Sequence, residues 1–106
     1  MIVIVPGCRA EIRELPLAVR EDLADLLARL DLGHRLSMPV SRPMPSIGRG
    51  VHELRLRDRG GAYRIVYALV LQGTVHVLHA FKKTSQATPK RALELARARL
   101  KEVVSR

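Results

Sequence analysis

Residues 51–83 read Val51-His-Glu-Leu-Arg-Leu-Arg-Asp58, Arg59-Gly-Gly61, Ala62-Tyr-Arg-Ile-Val-Tyr-Ala-Leu-Val-Leu71, Gln72-Gly73, Thr74-Val-His-Val-Leu-His-Ala-Phe-Lys-Lys83. Three runs rich in β-branched and apolar residues are separated by two short glycine-containing turns, which predicts a three-strand meander. Side chains on a strand alternate between faces. In the first strand Leu54 and Leu56 share one face, while Glu53, Arg55 and Arg57 take the other. The second strand sets Tyr63, Ile65, Tyr67 and Leu69 against Arg64, Val66 and Ala68. If the leucine face is the one covered by helices, Arg55, Arg57 and Arg64 converge on the opposite face. The third strand is apolar on both sides, so periodicity leaves the direction of His79 open; Lys82 and Lys83 lie at its exit.

Upstream, Ile2–Val5 is a short β-branched run stopped by Pro6-Gly7, a predicted strand. Cys8, Ile12 and Leu15 fall at helical spacing, which predicts a short helix ended near Pro16. Val19, Leu23, Leu26, Leu27 and Leu30 then form one apolar stripe, a second helix ending near Gly33. The two helices make a hairpin with an apolar face to cover. Residues 35–50 hold Pro39, Pro43, Pro45, Gly48 and Gly50 and read as a connector, since helices and central strands do not tolerate that density. Downstream, Thr88-Pro89 reads as an N-cap followed by a first-turn proline. It opens a helix with the stripe Pro89, Leu93, Ala96, Leu100 and Val103 or Val104, and with Leu95 exposed opposite it. The whole is one α+β domain over residues 1–106: an N-terminal strand and helical hairpin packed on an antiparallel meander, with a C-terminal helix.

The charge is unevenly placed. Residues 1–48 carry six arginines and six acids, whereas residues 49–106 carry thirteen basic residues and four acids, so the second part accounts for the net +9. A cationic field confined to one structural unit suits a polyanion, and nucleic acid is the first hypothesis. The single cysteine, Cys8, excludes an internal disulfide and Cys-rich zinc sites, and fits a reduced cytoplasmic setting. The apolar runs are too short or too interrupted for a membrane span. An aromatic content of 3% argues against a base-stacking platform of the usual kind.

The run Gly50-Val-His-Glu-Leu-Arg55, then Tyr63-Arg-Ile-Val-Tyr67, then His79-Ala-Phe-Lys-Lys-Thr84, then Thr88-Pro89 opening an Ala/Arg-rich helix, resembles the RelE/ParE toxin superfamily. More narrowly, it is similar to the phage-derived HigB-type branch, over roughly residues 47–104. The resemblance implies a RelE-like fold with a curved sheet. It further implies a toxin of a type II toxin–antitoxin pair that cuts mRNA on the translating ribosome, without a metal and without a small-molecule cofactor. The implied partners are the ribosome, mRNA and a cognate antitoxin, a small helix-turn-helix protein.

By the same resemblance Arg64 and Arg55 are the catalytic candidates, and Arg57, Lys82 and Lys83 the candidate RNA-phosphate ligands. Arg64 offers a planar, permanently charged fork for two phosphate oxygens. Histidine is the side chain whose ordinary range suits proton transfer near neutral pH, and His79 is the candidate for that role; the alternative is a hydrogen-bonded core histidine. Tyr67 reads as core, Tyr63 as somewhat more open, and His52 as structural beside the leucines. Family members with an acid–base group near the C-terminus find no counterpart in Val103-Val-Ser-Arg106. The same layout serves ParE-like proteins that inhibit DNA gyrase by protein contact, and a catalytically degenerate RNA-binding module. The layout does not choose among the three; the arginine cluster favours the nuclease.

Overall fold

The computed structural model describes residues 1–84 and 86–105. Along the chain run β1 (Ile2–Ile4), α1 (Cys8–Arg13), α2 (Leu17–Asp31), β2 (Ser41–Pro43), β3 (Val51–Asp58), β4 (Gly61–Leu71), β5 (Thr74–Lys83) and α3 (Lys90–Val104). The strands form one five-stranded sheet in the order β1-β5-β4-β3-β2. The expected meander β3-β4-β5 is its centre, with both turns where the glycines place them. β1 adds to it in parallel with β5, so the sheet as a whole is mixed.

The connector holds a strand that its prolines concealed. Ser41–Pro43 pairs antiparallel with β3 at the sheet edge, a place where a proline without an N–H costs no ladder bond. One side chain anchors it: the Ser41 and Tyr67 hydroxyls meet at 2.6 Å, and both residues are buried. At the other end of the connector Gly50 takes a φ of 77° and would bring a Cβ within 3.0 Å of the Leu69 carbonyl, so the turn into β3 requires a glycine.

The leucine face of the sheet is covered by α2, whose Val19, Leu23, Leu27 and Leu30 are buried as the stripe demanded. Leu54, Ile65 and Tyr67 lie beneath it, and His52 stacks on Tyr67 with ring centres 5.4 Å apart. Tyr63, expected to be more open, is buried as well, because it sits opposite Leu56 on the same face. On the second face α3 lies over β5 and β4, its close approach permitted by the small buried residues Ala92 and Ala96. Val103 turns inward and Val104 outward, while Leu95 is half-buried rather than exposed. The helix starts one residue later than expected. Pro89 occupies the cap position, and the Thr88 hydroxyl, instead of capping, donates to Glu53 Oε2 at 3.0 Å.

β5 has an edge problem beyond β1, which pairs only with Val75–Val77. Two side chains substitute for the missing strand. Glu11 Oε1 accepts the Ala80 N–H at 3.2 Å, and Arg99 Nη1 donates to the Leu78 carbonyl at 2.8 Å. The same Arg99 nitrogen also meets Glu11 Oε1 at 2.8 Å, so α1 and α3 are tied together across that edge.

Candidate nucleic-acid interface

Residues opposite each other in an antiparallel pair point to the same side of the sheet. The register sets Arg55 against Arg64, Arg57 against Ala62, Ala62 against Lys83, and Arg42 against Glu53. Arg42, Arg55, Arg57, Arg64 and Lys83 thus share the second face, beside the part of it that α3 covers. Arg55, Arg57 and Arg64 together line a hollow of about 360 Å³, whose remaining wall is Pro39 and Val40. That wall is held in place by the Arg55 N–H, which donates to the Val40 carbonyl at 2.8 Å.

Arg64 lies at the back of this hollow and is only 4% exposed. Its Nη1 donates to the Tyr63 carbonyl at 3.0 Å, and its Nε stands 3.6 Å from Glu53 Oε1, too far for a hydrogen bond. Burial draws the guanidinium below its ordinary pKa; Glu53 opposes that shift, and Arg55, Arg57 and Arg42 add to it. An arginine nevertheless keeps its proton at neutral pH. Lys83 feels the same field: burial lowers its pKa, Arg64 lowers it further, Glu53 opposes, and Arg55 and Arg42 add to the lowering. A concentrated positive charge in a partly desolvated hollow is worth more to an anion than the same charge in open water.

The structure divides the expected site residues. Arg55, Arg57, Arg64 and Lys83 come together. Lys82 does not: alternation turns it to the opposite face, across from Tyr63, where it is exposed. His79 also stands apart from the hollow. Its Nδ1 meets Glu11 Oε1 at 2.8 Å and its ring stacks on Phe81 at 4.9 Å, so it is tied into the β5 edge. Burial alone would raise the pKa of Glu11, but hydrogen bonds from Arg99, His79 and the Ala80 N–H outweigh it and hold the carboxyl below its ordinary value. His79 borders a separate, wider hollow with Phe81, Lys82, Arg91 and Leu95.

Arg42 is the cation that sequence reasoning missed. It lies in the proline-rich connector, and only the alternation Ser41 in, Arg42 out signals its direction once β2 is recognised. Cys8 offers no nucleophile: burial, then the neighbouring Glu11, push its thiol up to about 12. Among the described residues no group of three or more His, Cys, Asp or Glu could hold a metal ion, and no helix is long and apolar enough to cross a membrane.

Comparison with known proteins bears on the fold and the family. No functionally curated protein matches the chain in sequence. A double arginine-to-alanine variant of the E. coli toxin RelE in the free state superposes with a TM-score of 0.66 at 19% identity, over 97% of this chain and 96% of that one. The isolated E. coli RelE toxin superposes with a TM-score of 0.57 at 24% identity, over 81% of this chain and 87% of that one. At those identities the likeness concerns the fold. The model of the phage-derived Gp49-like proteins matches residues 10–101, which include every helix and strand except β1 and the ends of α1 and α3. With that match over most of its length, the chain belongs to the phage-derived Gp49-like family, and its architecture is that of RelE.

Proposed function

We propose that this protein is the toxin of a type II toxin–antitoxin pair, of the HigB-type branch, and that it inhibits translation in the cytoplasm by cutting ribosome-bound mRNA. The observation that carries this reading is the convergence of Arg55, Arg57 and Arg64 on one open hollow, with Lys83 beside it. The toxin architecture of RelE and the phage-derived family support it.

Metal-independent cleavage of RNA proceeds by attack of a ribose 2′-oxygen on the adjacent phosphorus. The new O2′–P bond forms as the P–O5′ bond breaks, and the proton lost by the 2′-hydroxyl is matched by one gained at O5′. Charge accumulates on the non-bridging oxygens in between. Arg64 and Arg55 meet that charge, and Arg64 does so from a desolvated position where its attraction is strongest. Arg57 and Lys83 hold flanking phosphates. Lys82 and His79 are left to other tasks, an outer-surface contact and the β5 edge. The hollow is lined by guanidinium groups and apolar residues, so in-line geometry and proton transfer fall to the ribosome and to the RNA it presents. A small helix-turn-helix antitoxin is the partner that silences the protein.

The test is a bacterial translation extract, with mRNA ends mapped and gyrase supercoiling assayed in parallel. Wild-type protein is expected to cut within translated codons, and Arg64→Ala to lose about a hundredfold or more in rate. Because Arg64 is buried, the accessible pair Arg55→Ala/Arg57→Ala is run beside it and is expected to be similarly impaired. Intact mRNA with supercoiling blocked would replace this reading with gyrase inhibition.

A further inference from the structure

Glu53 is the most deeply buried acid near the arginine hollow, 1% exposed on the same sheet face as Arg64. Both of its carboxylate oxygens are turned to the protein's own groups. Oε1 faces Arg64 Nε at 3.6 Å, and Oε2 accepts the Thr88 hydroxyl at 3.0 Å. A carboxylate so enclosed has no oxygen to offer a ribose hydroxyl, which removes it as a proton acceptor.

We infer that Glu53, held in place by Thr88, is a positioning residue that fixes the direction of the Arg64 guanidinium within the hollow. The inference rests on reading that hollow as a phosphate site. Its physical basis is a balance of charges. Arg42, Arg55 and Arg57 all act to expel the Arg64 charge, and Glu53 is the acid that opposes them. Without it a long cationic side chain would turn toward water. The 3.6 Å separation also matters. The carboxylate is close enough to hold the guanidinium by charge, yet makes no hydrogen bond with Nε, which has no hydrogen-bond partner among the described residues. The guanidinium is thus oriented by charge on its buried Nε side, and a phosphate meets it from the side that lines the hollow.

Thr88 makes this device depend on tertiary structure. It stands in the segment between β5 and α3, so the start of α3 sets the Glu53 carboxylate and, through it, Arg64.

The experiment uses the full chain and four proteins: wild type, Glu53→Gln, Thr88→Val and Thr88→Ser, each checked for folding by circular dichroism. The first readout is the NMR signal of the Arg64 Nε–Hε group and its exchange with water, which requires no activity. The wild type and Thr88→Ser should show the same protected signal. Glu53→Gln and Thr88→Val should show it shifted and exchanging faster. The second readout is single-turnover cleavage of ribosome-bound mRNA. Thr88→Val should lose about tenfold in rate, with the half-saturating ribosome concentration unchanged, and Thr88→Ser should recover it. An Arg64 signal identical in wild type, Thr88→Val and Glu53→Gln overturns the inference, whatever the cleavage rate. An inactive wild type whose Arg64 signal responds as expected overturns the nuclease reading and leaves the positioning intact.

Discussion

Arg55 and Arg64 stand directly opposite each other across the β3–β4 pair, two guanidinium groups on one face of a sheet. Like charges in that relation destabilise a sheet, and the rest of the fold must offset the repulsion. Their presence together is easier to account for by a polyanion that binds them than by any contribution to folding. Arg55→Gln, which keeps most of the stem and removes the charge, is therefore expected to stabilise the protein by about 0.5 kcal/mol while weakening its hold on RNA. A thermal melt should show a Tm higher by about 2–4 °C. A lowered Tm would show that Arg55 contributes more by its contacts than it costs by repulsion.

Salt should separate the cations of the hollow from those around it. Binding to a single-stranded RNA that engages Arg55, Arg57, Arg64 and Lys83 is expected to weaken with a log–log salt slope of about −3. Arg57→Gln should make the slope shallower by about 0.7. Lys82→Gln should leave it unchanged, since Lys82 faces the other side of the sheet. Fluorescence anisotropy across a salt series checks all three.

The Ser41–Tyr67 hydroxyl pair closes the β2 edge from inside the core. Tyr67→Phe leaves the Ser41 hydroxyl buried without its partner and is expected to cost about 1–2 kcal/mol in urea unfolding. Adding Ser41→Ala should recover part of that loss, because no polar group then remains unsatisfied.

Glu11 makes the β5 edge sensitive to acid. Its carboxyl lies below its ordinary value of 4.5 in the folded protein. The stability this brings is present at neutral pH and is lost as pH falls from about the ordinary value through the folded one. Glu11→Gln should be less stable at pH 7 by about 2 kcal/mol, since Arg99 and His79 lose a charged partner. Its stability should then fall less steeply between pH 5 and pH 3. Urea midpoints measured across that range check the sign.

Much of the fold was legible because it rests on local patterns. The alternation in Val51–Asp58 and Gly61–Leu71 and the glycines at the two turns placed the meander, and the leucine stripe of Leu17–Asp31 placed α2. That same alternation put Arg55, Arg57 and Arg64 on one face. The β2 strand escaped because edge pairing of three residues leaves almost no periodicity, and Arg42 escaped with it. Tyr63 was misjudged because the entrance of a strand looks open until the element covering it is known.

The sequence alone determined β1 and the three meander strands, the helix stripes, the segregation of charge and the shared face of three arginines, since each follows from backbone geometry and side-chain spacing within one or two elements. Only the tertiary structure decided that Lys83 joins them and Lys82 does not, that His79 belongs to Glu11, and that Thr88 reaches Glu53 behind Arg64. Those outcomes depend on which face each helix covers and where an edge is left open. Contacts between residues far apart in the chain settle both; alternation separates Lys82 from Lys83, but only the pairing of β5 with β4 decides which of them joins the arginines.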